Sequence, residues 1–362
     1  MIETEILIVG GGPAGATAAK YLSMGGVDNL LVQRNLTFKK PCGGGIRIDG
    51  FDEFDISQEL IKKRVNELVL VYKKSQISID ISKTPIAIVD RVAFDSALRD
   101  EAQKKGTTLY EASFVSLEIF DDYVVSTIKK ENEYIEVKSK YVIAADGVNS
   151  KIRKQVNGDE VSSFMTHYCD ITSQQYSSCT FHVGEKVAKQ NYAWAFPHAD
   201  GSNIGTVADS GCLEQLKADL NISEKTRDLG YKIPTYHNTL FFKDRVFFVG
   251  DSASQVLPFT YEGIYYAMGA AKIVADVIVH ADEPSVYEKR WKQKYKRKFD
   301  TLLKLQKLFL RNNFMISIMM RLYRSKYIQK QMVEMWLGDR ELEVNAAFAL
   351  RVIKRLIKRR DK

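Results

Sequence analysis

Apolar runs and breaks alternate along the first part of the chain. ILIV at 6–9 passes straight into glycines at Gly10, Gly12 and Gly15, a small-residue stretch follows, and LLV at 30–32 closes the unit. Runs this short and β-branched predict strands buried on both faces, and the alanine-rich stretch between them predicts a slim helix. Similar apolar strands run into Asp146-Gly147 and Gly250-Asp251, each followed by a new helical stretch. Elsewhere the period changes: RVNELVLVYKKSQISIDI reads as two strands about a polar turn, and SSCTFHVG and NYAWAFP alternate like strands with one buried face. From residue 287 the chain runs forty residues without proline or glycine, a helical region crossed by charges too often to span a bilayer.

These patterns predict an α/β chain. A discontinuous, Rossmann-type cofactor domain is expected at 1–55, 86–158 and 239–280. A mostly antiparallel β-sheet substrate domain is inserted at 56–85 and 159–238, and a basic helical region occupies 281–362. No repeat or low-complexity segment is visible. With 362 residues and 45% apolar content the chain can bury a large core.

The net charge of +8 is unevenly placed. From residue 286 onward there are 22 basic and 7 acidic residues, against 31 and 38 before it. A segment that is basic and rich in Leu, Met, Ile and Phe suits an anionic lipid surface better than nucleic acid. Cys42, Cys169, Cys179 and Cys212 form no CxxC pair and the five histidines show no HxxxH spacing, so no structural zinc is expected. Without a secretory leader pattern before the first strand, a cytoplasmic location is expected, with the basic tail offering peripheral attachment to the inner face of the membrane.

The glycine spacing is that of a dinucleotide site. Gly10 makes the turn, Gly12 lets backbone approach a pyrophosphate, and Gly15 allows close packing of the following helix, whose N-terminus receives the anion. An acidic residue normally ends the second strand, but here Gln33 stands there, followed by Arg34. Its amide oxygen can accept from a ribose hydroxyl, with about 1 kcal/mol less affinity than a carboxylate gives. Both residues are candidate cofactor contacts.

With the ADG and GD segments in place, the chain resembles the flavoprotein group that includes p-hydroxybenzoate hydroxylase and the geranylgeranyl reductases. That resemblance implies FAD, with Asp146, Gly147 and Asp251 lining it and Arg91, at the head of DRVAFDSALRDEAQKKG, lying over it. A surface helix with charges at i,i+4 is the bland alternative for that segment. Within the group, PCGGG at 41–45 and YAWAFP at 192–197 resemble the geranylgeranyl reductase family. This likeness implies substrate contacts from Tyr192, Trp194 and Phe196, which share one strand face. Gly43 and Gly44 would admit the flavin, and Cys42 beside it would donate a proton or gate the site. Pro258 and Gly263 would shape the loop after the GD motif. Two departures stand out: Tyr261 occupies a common glycine position, where its ring is expected to narrow the substrate entrance, and Gly205 is followed by Val207 instead of a second glycine, which is expected to alter the substrate lining.

The implied activity is saturation of C=C bonds in a prenyl chain carried by a lipid, quinone or diphosphate, with NAD(P)H or ferredoxin as electron donor. An aromatic-ring monooxygenase using NAD(P)H and oxygen shares the same cofactor motifs. A lipid- or nucleic-acid-binding protein on a degenerate flavoprotein scaffold is the alternative from another class, motivated by Gln33, Tyr261, Val207 and the tail.

Overall fold

The computed structural model describes residues 1–198 and 201–338. Its first layer is an eight-stranded sheet centred on Ile2–Val9, which lies parallel between Asn29–Gln33 and Glu133–Ala144; Thr108–Glu111 and Val246–Phe248 extend it in parallel on either side. Glu133–Ala144 explains itself in its sequence. EYIEVKSK alternates where the strand pairs antiparallel with Val124–Lys130 and one face meets solvent, whereas YVIA is apolar where both faces are covered. Helix Pro13–Met24 covers this sheet with Ala16, Ala18 and Ala19 fully buried, and helices Arg91–Lys104 and Ile264–Val279 pack against it.

The second layer is a seven-stranded sheet in the order Leu229–Pro234, Ser163–Ile171, Gly201–Thr206, Tyr192–His198, Cys179–Val183, Glu67–Tyr72 and Ser75–Asp80. All its pairings are antiparallel except that of Cys179–Val183 with Glu67–Tyr72. A small sheet of Gly45–Arg47, Ile86–Val89 and Ile61–Val65 lies between cofactor and substrate segments in sequence.

The long helical region is broken where polar side chains cap new helices. Asn312 accepts from Met315 N–H at 3.0 Å and Ser325 from Ile328 N–H at 3.4 Å, so Asn313–Tyr323 and Lys326–Trp336 turn away from Arg297–Phe309. Its first part docks on the parallel layer through buried Tyr287, Trp291, Tyr295 and Phe299. Its later part docks on the second sheet through Leu310, Ile316, Met319 and Met320. The expected basic amphipathic segment LRVIKRLIKRR lies outside the described residues.

His182, buried in Cys179–Val183, titrates only at about 4, because burial outweighs the pull of Asp219. Its folded pKa is below the unfolded value, so its contribution is present above about pH 6.5 and is lost as pH falls toward 4. Denaturant melts of His182→Leu are expected to lack roughly 3 kcal/mol of the acid-side loss seen in the wild type. Parallel stability–pH curves for the two proteins would refute this.

Candidate functional site

The glycine turn is fixed by close approach. Gly10 has φ of +105°, and a Cβ there would lie 2.2 Å from the Ala145 carbonyl oxygen; one at Gly15 would lie 1.8 Å from the Gly10 oxygen. Gly10 N–H donates to Val32 O at 2.8 Å. Gly12 differs, because a Cβ there would meet no protein atom within 4 Å: it faces open space. The helix that follows has neither a capping side chain nor an acidic residue in its first turn, so its leading N–H groups suit an anion.

Gln33 is engaged with the glycine turn. Its amide oxygen accepts from Gly11 N–H at 2.7 Å and its amide nitrogen donates to Asn35 O at 2.8 Å, so the side chain braces the turn from the cavity edge. Arg34 lies beside it on the same wall. Arg99, which sequence reasoning missed, completes the brace by donating to Gly11 O at 2.9 Å and Leu36 O at 2.7 Å. It stands one helical face along from Arg91 and Asp95, at i+8 and i+4, and all three are buried rather than forming a surface stripe. Arg91 donates to Asp95 at 3.0 and 2.7 Å. Burial opposes its charge, but Asp95 and the neighbouring Cys42 sulfur outweigh it and raise its pKa.

Asp146, Gly147, Asp251 and Gly263 face the same cavity. Burial raises the pKa of Asp146, whose Oδ2 accepts from Ile152 N–H at 3.2 Å while its buried Oδ1 has no protein partner. Asp251 is joined to Lys40 at 2.5 Å, across 211 residues of sequence. Lys40 immediately precedes PCGGG, and only its position beside that motif could have drawn attention to it. Burial works against the Lys40 ammonium, yet Asp251 holds its pKa up.

In the PCGGG loop the glycines divide their work. A Cβ at Gly43 would strike the Phe196 ring at 2.7 Å, whereas Gly44, with φ of +69°, packs against Val89, whose oxygen a Cβ would meet at 2.5 Å. Gly44 therefore shapes the loop from behind instead of passing along the cavity, and Pro258 and Gly15 also lie off its wall. Cys42 is exposed on the wall, and its sulfur accepts from Gly44 N–H at 3.4 Å.

An aromatic wall adjoins this loop. Tyr192, Trp194 and Phe196 follow one another with ring centroids 6.2 and 6.4 Å apart, and Phe181 stands 5.1 Å from Tyr192 and 5.0 Å from Phe196. Trp194 donates to Asn203 at 2.7 Å. Gly205 is required by that ring, because its Cβ would lie 2.3 Å from the indole. Val207, expected to alter the lining, lies in the core beneath the wall instead, where its N–H donates to Tyr192 O at 3.0 Å. Tyr261 adopts φ of +55°, explaining why glycine suits the position; its hydroxyl donates to Asn191 at 2.7 Å and accepts from Gln306 at 2.8 Å, which holds the strained turn.

The whole cavity measures about 640 Å³, within the range of cofactor clefts. FAD fits the donor set: an uncapped helix N-terminus, the open space at Gly12 and the orphaned Asp146 oxygen are what a pyrophosphate and a polyhydroxyl chain require. Among the described residues no cluster suited to a metal is present.

Comparison with known proteins agrees. Residues 3–229 match the family model described as FAD binding domain. The chain is 28% identical to the chloroplastic geranylgeranyl diphosphate reductase of Arabidopsis thaliana, over 93% of this chain and 81% of that protein. It is 29% identical to the geranylgeranyl diphosphate reductase of Synechocystis sp., over 85% and 86%. Among solved structures, a geranylgeranyl bacteriochlorophyll reductase-like protein from Thermoplasma acidophilum superposes with a TM-score of 0.76 at 22% identity, covering 98% of this chain and 96% of that one.

Proposed function

Because the chain belongs to the FAD binding domain family, we propose that it is an FAD-dependent oxidoreductase that saturates C=C bonds of a prenyl chain carried on a diphosphate, lipid or quinone. The observation that carries this reading is the meeting of PCGGG and YAWAFP on one cavity, with Gly43 left without a side chain to seat the Phe196 ring. A polyprenyl tail offers no polar handle beyond its head group, so walls such as Tyr192, Trp194, Phe196 and Phe181 suit it. Named relatives that act on geranylgeranyl groups support the same choice. They leave the aromatic-ring monooxygenase with less support.

Reduced FAD supplies the hydride, and NAD(P)H or ferredoxin is the proposed source of its electrons. The chain's own residues do the rest. The turn at Gly10 and Gly12 and the first turn of helix Pro13–Met24 would receive the pyrophosphate, Asp146 and Asp251 would hold hydroxyls, and Arg91 would help to hold the cofactor. The aromatic wall keeps water from the alkene. Cys42, in the loop that meets this wall, is the proposed gate of the site. Cys42→Ala is expected to retain its flavin and to slow prenyl reduction by less than about tenfold; undiminished turnover would remove it from the site.

We also infer peripheral contact with an anionic membrane. No helix among the described residues is long and apolar enough to cross one. Phe314 is 72% and Leu308 45% exposed, and the basic Lys304, Lys307 and Arg311 are their neighbours in sequence. Binding to phosphatidylglycerol vesicles should fall steeply at about 0.5 M salt and weaken in Phe314→Ser. Salt-insensitive sedimentation, or none at low salt, would exclude this contact.

A further inference from the structure

A prenyl chain laid along an apolar wall must stop somewhere. Resting on the proposed function, we propose that Trp336 and Leu337, at the end of helix Lys326–Trp336, are the stop against which the far end of the chain rests. They would then set how many isoprene units the site accepts.

The cavity runs across five neighbouring strands of the second sheet. Tyr231 lines it from Leu229–Pro234, Tyr168 from Ser163–Ile171, Asn203 from Gly201–Thr206, Trp194 from Tyr192–His198 and Phe181 from Cys179–Val183. There it ends, because no residue of the next two strands, Glu67–Tyr72 and Ser75–Asp80, lines it. The space over Glu67–Tyr72 is taken by helix Asn313–Tyr323, whose Ile316, Met319 and Met320 join one core with Leu68 and Leu70. Trp336 and Leu337 line the cavity at this end, with the Phe181 and Trp336 ring centroids 5.9 Å apart and Leu337 buried.

The two ends differ in chemistry. Leu229–Pro234 is the edge of the sheet, where Tyr231 and Lys232 line the cavity and keep part of their surface in solvent. At the other end stand the Phe181 and Trp336 rings, Leu337 and the buried Cys179. A charged head group would be stripped of water among those apolar groups at high cost, so it belongs at the sheet edge, and the apolar terminus of the chain belongs against Trp336.

The stop is anchored. Leu337 N–H donates to Val333 O at 2.7 Å, and the Lys298 ammonium donates to Gly338 O at 2.6 Å, which ties this helix end to Arg297–Phe309. Five strands give four spacings of about 4.8 Å, roughly 19 Å in all. That is the reach of an extended chain of four isoprene units, so a fifth would press on Trp336.

Binding tests this without turnover. Farnesyl, geranylgeranyl and geranylfarnesyl diphosphates, of three, four and five isoprene units, are titrated calorimetrically into the oxidised, flavin-loaded protein. Wild type should bind the four-unit chain at least about tenfold tighter than the three-unit one, and the five-unit chain at least about tenfold more weakly than the four-unit one. In Trp336→Ala the five-unit chain should bind as tightly as the four-unit chain. Trp336→Phe should lie between; among the described residues the Trp336 Nε1–H is buried without a partner, so this variant forfeits no hydrogen bond. A flavin-loaded Trp336→Ala that keeps the wild-type length preference overturns the assignment. So does a wild-type affinity that goes on rising through five units, a readout that stands even if both variants fail to fold. A wild type that shows the break in binding yet leaves every chain unreduced contradicts the proposed reaction instead.

Discussion

Replacing Arg153 by methionine is expected to cost about 3–5 kcal/mol of stability and to release the flavin. The guanidinium is 1% exposed and ties together segments distant in sequence. It donates to both oxygens of Asp159 at 2.9 and 2.8 Å, to Ser252 O at 3.1 Å, to Ser254 Oγ at 3.2 Å and to Asn238 O at 2.9 Å. Its removal strands the buried Ser252 carbonyl and Ser254 hydroxyl of the loop that begins with Asp251, so the damage reaches the cofactor site. The pair also sets an acid limit: hydrogen bonding from Arg153 lowers the Asp159 pKa to about 2, so this contribution, full above the ordinary carboxylate pKa, is lost as pH falls toward that value. Urea melts with flavin absorbance check both halves. A variant within about 1 kcal/mol of wild type that stays yellow would show that the loop is held by other contacts.

The second large effect separates two glycines of one motif. Gly15→Ala pushes a methyl group to 1.8 Å from the Gly10 oxygen, so the helix must back away from the turn. We expect loss of roughly 3 kcal/mol together with loss of flavin. Gly12→Ala meets nothing within 4 Å and its φ of −77° accommodates alanine. That variant should fold as stably as wild type yet bind little flavin, because the methyl group stands where the pyrophosphate must pass. Thermal melts and flavin content distinguish the two, and a yellow Gly12→Ala would displace the pyrophosphate from this position.

What the sequence makes legible is local. The glycine turn, PCGGG and YAWAFP each state their geometry within a few residues, because a tight turn or a one-sided strand is dictated by its own residue types. Arg153 and Lys40 do not announce themselves, since their environments come from segments far away in the chain. Lys40 meets Asp251 only after the sheet is assembled. In the helix Arg91–Lys104 the Arg-Asp-Arg spacing by itself also fits a solvated stripe, and the cavity beneath it makes that face an interior one. Gln33 has a part that position alone does not show, because its amide also bonds Gly11 and Asn35. The breaks in the C-terminal helices, by contrast, were open to reading. Asn312 and Ser325 are ordinary capping residues, although neither proline nor glycine marks them.

The central claim is prenyl reduction by a bound flavin, and it is tested most directly without oxygen. Purified protein, reduced with dithionite, is mixed with geranylgeranyl diphosphate and the lipid is weighed by mass spectrometry. The account predicts reoxidation of the flavin with a gain of two hydrogens for each bond saturated. Flavin that stays reduced beside an unchanged prenyl chain, but turns over once oxygen and an aromatic ring are supplied, would contradict it.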